Sequence, residues 1–164
     1  MSAAGGNPIT VRVHLDDSED PPYLEHIRQG AVSDLVCHVM GEQGIEGAQV
    51  DLVFCGDGRI AELNEQWLDH TGPTDVLTFN LSEETEDGSG PLEGEIYIDL
   101  MQAIRQAPEF DATPDEEVRR LVIHGVLHLI GFDDAGDTAA AERMRARQEA
   151  LVAGWTEPVL EVTD

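Results

Sequence analysis

The chain has 164 residues, which suits one domain, and 34 acidic side chains against nine basic ones give a formal net charge of −25. All nine basic residues are arginines, so composition offers no basic patch from which nucleic-acid binding could be inferred. Hydrophobic residues make up 41% of the chain and fall in periodic runs, which favours a folded core over disorder. No apolar run approaches the roughly 20 residues that span a bilayer, and residues 1–10 do not resemble a signal peptide. We therefore expect a soluble, cytoplasmic protein with one domain over residues 1–164 and no membrane partner.

The acidic, lysine-free composition also suggests an environment. Exposed carboxylates stay hydrated in concentrated salt, where the Debye length shrinks to about 3 Å at 1 M and self-repulsion fades. The composition therefore favours a halophilic source with a salty cytoplasm, against the plainer interpretation of compositional drift.

The first part of the chain alternates predicted strands and helices. Apolar and polar residues alternate over Ile9–Leu15, which predicts a half-buried strand. A helix is expected to open at Pro21 and Pro22 and to be ended by Gly41 and Gly44, and Ala48–Cys55 follows as a second strand.

The remaining elements shift from strands to helices. Asp57 is the expected N-cap of a short helix over Arg59–Leu68, and residues 82–93 form the expected acidic mobile loop. Strands are expected at Asp75–Phe79 and Glu95–Asp99, and helices at Leu100–Gln106, Pro114–Ile130 and Thr138–Val152. Strands interspersed with helices, followed by helices alone, indicate an α+β domain built on a small sheet.

The helix predicted over Pro114–Ile130 carries a histidine pair. Thr113 is a suitable N-cap, and Gly131 follows the last apolar residue, where a left-handed helix end favours glycine. His124 and His128 are four residues apart and therefore share one face of the helix, close enough to bind one metal ion.

The residues after the histidines strengthen the metal prediction. Two histidines at helical spacing are often only part of a helix surface, but here a glycine turn and acidic residues follow at once. The turn can return a carboxylate from Asp133 or Asp134 towards His128. Two histidines and one carboxylate leave positions open for water, as in catalytic zinc sites, although non-haem iron uses the same ligands.

A zinc peptidase is the nearest alternative from the spacing alone. The H-E-x-x-H pattern of those enzymes places a glutamate, the general base, directly after the first histidine. Gly125 occupies that position here, so a peptidase would lack its usual base.

The same segment resembles a known family. H-G-V-L-H-L-I-G-F-D-D, over His124–Asp134, resembles the H-G-x-L-H-L-x-G-Y-D-H signature of the YbeY family, bacterial metal-dependent, single-strand-specific endoribonucleases that act as rRNA maturation factors. Leu63–Asn64 followed by P-T-D-V-L-T-F, over Pro73–Phe79, resembles the family's L-N and P-T-D-V-L-S-F segments. Gly94–Ile98 resembles the G-D-I strand that comes next, so the agreement covers most of the domain.

The resemblance implies a fold and a ligand set. The fold would be a small mixed β-sheet packed with helices, with a zincin-like metal helix whose ion lies in a cleft. One divalent ion, expected to be Zn²⁺, would be held by His124, His128 and Asp134, with Asp133 as the rival third ligand. The sequence departs from the family pattern twice: the third ligand is usually histidine, and Leu68 stands where the family commonly has an arginine.

The resemblance also implies a reaction and partners. A metal-activated water would attack an RNA phosphodiester in ribosomal RNA maturation and ribosome quality control. The expected partners are single-stranded RNA, ribosomal RNA and the small ribosomal subunit. The alternatives are a zinc metallopeptidase-like hydrolase and a non-catalytic ribosome-assembly factor with a structural metal site.

Other site residues can be proposed only from their positions. His70 is a candidate for proton transfer and Asp75 for support of the cleft, although an exposed loop histidine and a turn residue are the plainer interpretations. Arg59 and Arg105 could meet phosphate, but helix-surface ion pairs are the safer expectation. Aromatic residues such as Trp67 are few, so the sequence indicates no base-stacking surface.

Overall fold

The computed structural model describes residues 8–68, 75–82, 91–132 and 138–161. Four strands and five α-helices occur in these ranges, together with short 3-10 and π-helical segments. The strands are β1 Ile9–Leu15, β2 Ala48–Cys55, β3 Val76–Asn80 and β4 Leu92–Asp99. The helices are α1 Gln29–Glu42, α2 Asp57–Leu63, α3 Leu100–Gln106, α4 Pro114–Leu129 and α5 Thr138–Gly154. None of the described helices is long and apolar enough to cross a membrane.

The four strands form one mixed sheet in the order β1-β2-β4-β3. Strands β1, β2 and β4 are parallel, with Val11 beside Val50 and Leu52 beside Ile96. Strand β3 runs antiparallel to β4 at the edge, and Thr78 lies beside Ile96. Because parallel neighbours need a crossover, α1 connects β1 to β2. The α+β class with a mixed sheet is confirmed.

The core occupies both faces of this sheet. On one face, Leu52 of β2 and Ile96 of β4 are fully buried in a cluster that includes apolar residues of α1, α3, α4 and α5. On the other face, Ile60 and Leu63 of α2 pack with Leu77 in a smaller cluster. Alternate residues of each strand point to opposite faces, so covered strands carry apolar residues on both sides.

The predicted start of the first helix was wrong. A 3-10 turn covers Leu24–His26, Ile27 is extended, and α1 begins only at Gln29. The cause lies far along the chain: Ile27 forms an isolated antiparallel bridge with Leu160, and the Arg28 N–H donates to the Val159 carbonyl. The pairing of distant segments holds this backbone out of the helix.

Two further boundaries differ from the prediction. The acidic loop cannot extend to residue 93, because β4 begins at Leu92 and pairs with β2; residues 83–90 lie outside the described part. The N-cap of α2 is Gly56, and Asp57 is the first helical residue. The carboxylate of Glu19 accepts the N–H groups of Gly58 and Arg59, so the helix start is satisfied from another segment.

Candidate metal centre and its cleft

Both predicted ends of α4 are confirmed. The Thr113 side chain accepts the Glu116 N–H at 3.1 Å, which caps the N-terminus. At the other end Gly131 has φ +114°, and its N–H donates to the His128 carbonyl. The Phe132 N–H donates to the Leu127 carbonyl, which completes a Schellman motif. The helix therefore ends within one turn after His128.

Gly125 is where α4 approaches the sheet most closely. A Cβ atom at this position would lie 2.7 Å from Cγ2 of Ile96 and 3.2 Å from Cγ2 of Val76. Both are branched side chains of the sheet, so neither can move aside cheaply. The position that carries the glutamate of a zinc peptidase is thus packed against β3 and β4 and accepts no side chain.

Edge strand β3 also positions the C-terminal half of α4. The Thr78 hydroxyl donates to the Gly125 carbonyl at 3.3 Å, and the Asn80 amide donates to the Leu129 carbonyl at 3.4 Å. The Asn80 bond satisfies a carbonyl of the last helical turn, and both bonds hold the helix against the strand that carries most of the P-T-D-V-L-T-F segment.

The two histidines lie together, as their spacing predicts. Their ring centroids are 5.2 Å apart with an interplanar angle of 56°. A zinc ion binds each imidazole nitrogen at about 2.0–2.1 Å, so two rings must lie side by side to share it. The rings of His124 and His128 meet that requirement. Among the described residues no group of three possible ligands forms. Asp133, Asp134 and His70 all lie outside the described ranges.

The tautomer of His124 follows from its hydrogen bond to α5. Its Nδ1 lies 2.7 Å from Oε1 of Gln148, and Nε2 of Gln148 donates to the Glu149 carboxylate at 3.2 Å. The amide oxygen can only accept, so Nδ1 carries the proton. The lone pair of Nε2 is then free for a metal, the arrangement in which a second partner orients a histidine ligand.

Arg120 links this histidine support to the buried part of α4. Its guanidinium donates to both carboxylate oxygens of Glu149, at 2.9 and 3.0 Å, and to Oε1 of Glu117 at 3.0 Å. Glu117 is only 2% exposed, so its carboxylate depends on this cation. The hydrogen bonds from Arg120 hold the pKa of Glu149 below its usual value, and Glu149 in turn raises the pKa of Arg120.

Gln106 extends the network to Asp75. Its amide nitrogen donates to Oδ2 of Asp75 at 2.9 Å and also to Oε2 of Glu117. Asp75 therefore stands on the wall of the same cleft as His124. Its proposed role as support for the cleft agrees with this position, while a part in the chemistry stays a prediction.

The cleft beside His124 has a volume of about 710 Å³. That size lies within the range of small-molecule and cofactor sites. Its walls come from the end of α3, the 3-10 turn at Ala107–Phe110, α4, α5 and the residue before β3. They include His124, Gln148, Arg145, Glu117, Phe110 and Asp75.

Sequence reasoning missed most of these wall residues. Arg145, Gln148 and Glu149 share a helix face by their spacing of three and four, but nothing local shows that this face meets His124. Phe110 has no sequence signal beyond its type. Arg105 pairs with Asp57 at 2.7 Å, which confirms the ion-pair interpretation for it. The side chains of Trp67 and Leu68 lie outside the described part.

The fold and the site define a class of protein: an α+β domain in which a histidine-bearing helix packs on a mixed sheet beside a cleft. The sequence model of the family described as "Endoribonuclease YbeY" matches residues 18–156. The chain belongs to the YbeY family.

Individual relatives agree with the family match. The protein named endoribonuclease YbeY of Salinibacter ruber is 35% identical over 139 residues, which cover 82% of this chain and 87% of that protein. The protein of the same name from Anaeromyxobacter sp. is 40% identical over 149 residues, covering 88% and 74%. A solution structure of a Thermotoga maritima protein superposes with a TM-score of 0.51 at 29% identity, covering 89% of this chain and 91% of the other.

Proposed function

We propose that this protein is a metal-dependent, single-strand-specific endoribonuclease that acts in ribosomal RNA maturation and quality control. Family membership and the printed names of its relatives support an endoribonuclease. The observation that carries the proposal is the placement of His124: its Nδ1 is held by Gln148 at 2.7 Å while its ring lies beside that of His128 at the cleft.

The ligand set suits one divalent ion, and Zn²⁺ is the ion that we propose. His124 through Nε2, His128, and Asp134 from the segment after Gly131 would hold it. Such an ion lowers the pKa of a bound water and polarises a phosphoryl oxygen, which is the chemistry that hydrolysis of a phosphodiester needs. Asp133 remains the rival third ligand.

The protein's own groups position this chemistry. Gln148 fixes the His124 ring, and the Glu149–Arg120 pair fixes Gln148, so the ring has little freedom to turn away from the cleft. Asp75, held by Gln106, would support the cleft wall near the substrate. We propose His70 as the group that moves a proton to or from the reacting oxygens.

The packing of Gly125 weighs against the peptidase alternative. A glutamate there would collide with β3 and β4, so the general base of the H-E-x-x-H mechanism has no place on this helix. The non-catalytic alternative predicts a bound metal with no hydrolysis, and the assay below separates it from the proposal.

The net charge of −25 bears on where the enzyme would meet RNA. In molar salt both self-repulsion and attraction to the phosphate backbone are screened, so affinity for free RNA should be low. We therefore propose that the small ribosomal subunit presents its rRNA to the enzyme in a salty cytoplasm. Nanomolar binding of a generic single strand in molar salt would argue against this, as would a melting temperature no higher in molar KCl than in salt-free buffer.

The decisive experiment compares cleavage of single-stranded and duplex RNA by the purified protein, with and without chelator. We expect cleavage of the single strand alone and none in chelator. His124→Ala and His128→Ala should reduce it to background and lower the metal content in elemental analysis. His26→Ala, which changes an exposed histidine outside the cleft, should match the wild type.

Each of the other outcomes would contradict the proposed site or favour one of the alternatives. Alanine variants that cut RNA as fast as the wild type would show that the proposed site is wrong. Chelator-sensitive peptide cleavage with intact RNA would favour a peptidase, and stoichiometric metal without hydrolysis would favour an assembly factor. Asp134→Ala and Asp133→Ala form a matched pair: loss of metal only in the first assigns the third ligand to Asp134.

A further inference from the structure

Phe110 is an exposed aromatic residue on the wall of the catalytic cleft. The residue is 65% exposed, although it ends a 3-10 turn whose first residue, Ala107, is completely buried. The Ala112 N–H donates to the Ala107 carbonyl at 2.9 Å, and Asp111 closes the turn with φ +55°. The turn is thus anchored on both sides, and it presents the ring to the cleft instead of the core.

Arg145 lies on the cleft wall, and its guanidinium has no hydrogen-bond or ion-pair partner among the described residues. Glu149, four residues later, would be its natural helix partner, but both oxygens of that carboxylate are bound to Arg120 at 2.9 and 3.0 Å. Arg145 makes no ion pair or hydrogen bond with the described residues, and it acts on Glu149 only through space. Although the chain has many carboxylates, this guanidinium is therefore able to bind an anionic group of a ligand.

Phe110 and Arg145 both lie on the cleft wall, at different positions along the part of α4 that lines the cleft. Phe110 precedes the N-terminus of the helix, whereas Arg145 lies one helical turn before Gln148, which holds His124. Between Glu117 and His124, both on the cleft wall, the helix rises about 10 Å. A base at Phe110 would therefore belong to a nucleotide away from the reacting phosphate.

We propose that Phe110 and Arg145 form a subsite for single-stranded RNA, in which a base stacks on the Phe110 ring and a backbone phosphate binds the Arg145 guanidinium. The inference rests on the proposed nuclease function and adds the contacts that hold the substrate. Aromatic rings stack any base whose face is free, and guanidinium groups bind phosphate oxygens in pairs. Because duplex bases are already stacked, the Phe110 contact also supplies a physical cause for single-strand preference.

The test measures binding without cleavage, by anisotropy of a fluorescein-labelled oligoadenylate in chelator at low salt. Phe110→Ala should weaken binding about 5- to 150-fold, the loss expected for one stacked base. Phe110→Leu should lose nearly as much although it stays apolar, whereas Phe110→Trp should bind at least as well as the wild type. Tyr23→Ala, which removes an exposed aromatic ring elsewhere, should have no effect.

The phosphate contact is read from the salt dependence. Arg145→Met should lower the slope of log Kd against log salt by about 0.7, the loss of one single-strand phosphate contact. Arg143→Met is the matched control, because it removes the same charge from an exposed position of α5 that does not line the cleft. Its slope should remain that of the wild type.

Cleavage assays separate this inference from the proposed function. Under turnover, Phe110→Ala and Arg145→Met should raise KM for the single strand and leave kcat nearly unchanged. RNA cleavage with wild-type Kd, KM and salt slope in both variants would overturn the subsite while the nuclease stands. Binding in chelator that depends on both residues, with no cleavage under any metal, would leave the subsite and overturn the nuclease. A wild type that binds no oligoadenylate at low salt would overturn the subsite.

Discussion

Two clusters in this protein each combine two carboxylic acids with one arginine, but the arginine pairs with both acids in one cluster and with only one acid in the other. The cleft cluster contains Glu117, Glu149 and Arg120, and the strand-end cluster contains Asp57, Asp99 and Arg105. In the cleft cluster the arginine bonds both carboxylates, at 3.0 Å and 2.9 Å. In the strand-end cluster Arg105 bonds only one of the two carboxylates, that of Asp57, at 2.7 and 3.0 Å, and its other hydrogen bonds go to the Gln102 side chain.

Burial of Asp99 turns this difference into a protonation difference. Asp99 ends β4 and is 3% exposed, and desolvation together with the Asp57 carboxyl raises its pKa to about 7. The Arg105 hydrogen bonds hold the pKa of Asp57 below its usual value. The presence of two carboxylic acids and one arginine therefore does not determine which acid is ionised. The position of the guanidinium determines which carboxylate it stabilises.

The largest expected effect is the loss of the cation in the cleft cluster. Arg120→Met leaves the Glu117 carboxylate buried beside Gln106 with no positive partner, and the free energy of unfolding should fall by about 3 kcal/mol in urea denaturation. The effect belongs at the low end of the range for buried pairs because Arg120 is itself 21% exposed. Arg145→Met should stay within about 0.5 kcal/mol of the wild type.

A double variant tests the cause of that loss. Glu117→Gln together with Arg120→Met removes the buried charge and its partner at once, so most of the stability should return. A double variant as unstable as Arg120→Met would show that lost packing, and not the unpaired carboxylate, explains the effect.

The strand-end cluster should appear in the pH dependence of stability. The folded state holds the Asp99 proton up to about pH 7, whereas the unfolded chain releases it near pH 4. The folded state thus binds more protons in this window, and the Asp99 contribution to stability declines as pH rises from about 4 to 7. Asp99→Asn should abolish this decline, so its stability relative to the wild type rises across that window and then levels off.

The neighbouring acid supplies a control of opposite sign. Asp57 has a lowered pKa, so its stabilising contribution is present above about pH 4 and is lost as the solution becomes more acidic. Asp57→Asn should therefore lose stability relative to the wild type near neutral pH and converge with it in acid. Equal pH profiles for Asp99→Asn and the wild type would contradict the assignment of the raised pKa to Asp99.

The smallest expected effect is at the exposed pair of the strand-end cluster. The side chains of Arg105 and Asp57 are 54% and 46% exposed, so Arg105→Met should cost at most about 1 kcal/mol of unfolding free energy. The difference should nearly vanish in 1 M KCl, where the Debye length is about 3 Å. A cost that persists in molar salt would mean that Arg105 contributes through packing of its stem.

Much of the local structure was predictable from short-range patterns. The bounds of β1 and β2 follow from apolar alternation, and both ends of α4 follow from Thr113 and Gly131. The side-by-side placement of His124 and His128 follows from helix geometry alone. These features depend on residues within a few positions of one another, so the amino-acid order is enough to determine them.

Contacts between distant segments were decided only by the tertiary structure. The bridge between Ile27 and Leu160 keeps the chain extended before α1, so that the helix begins later than predicted. The close approach of α4 to β3 and β4 requires glycine at position 125. The support of His124 by Gln148 likewise depends on how α5 crosses α4. Helical periodicity predicts which residues share a face, but the packing between elements determines which residues that face contacts. The cleft of this protein is formed by such contacts between distant segments.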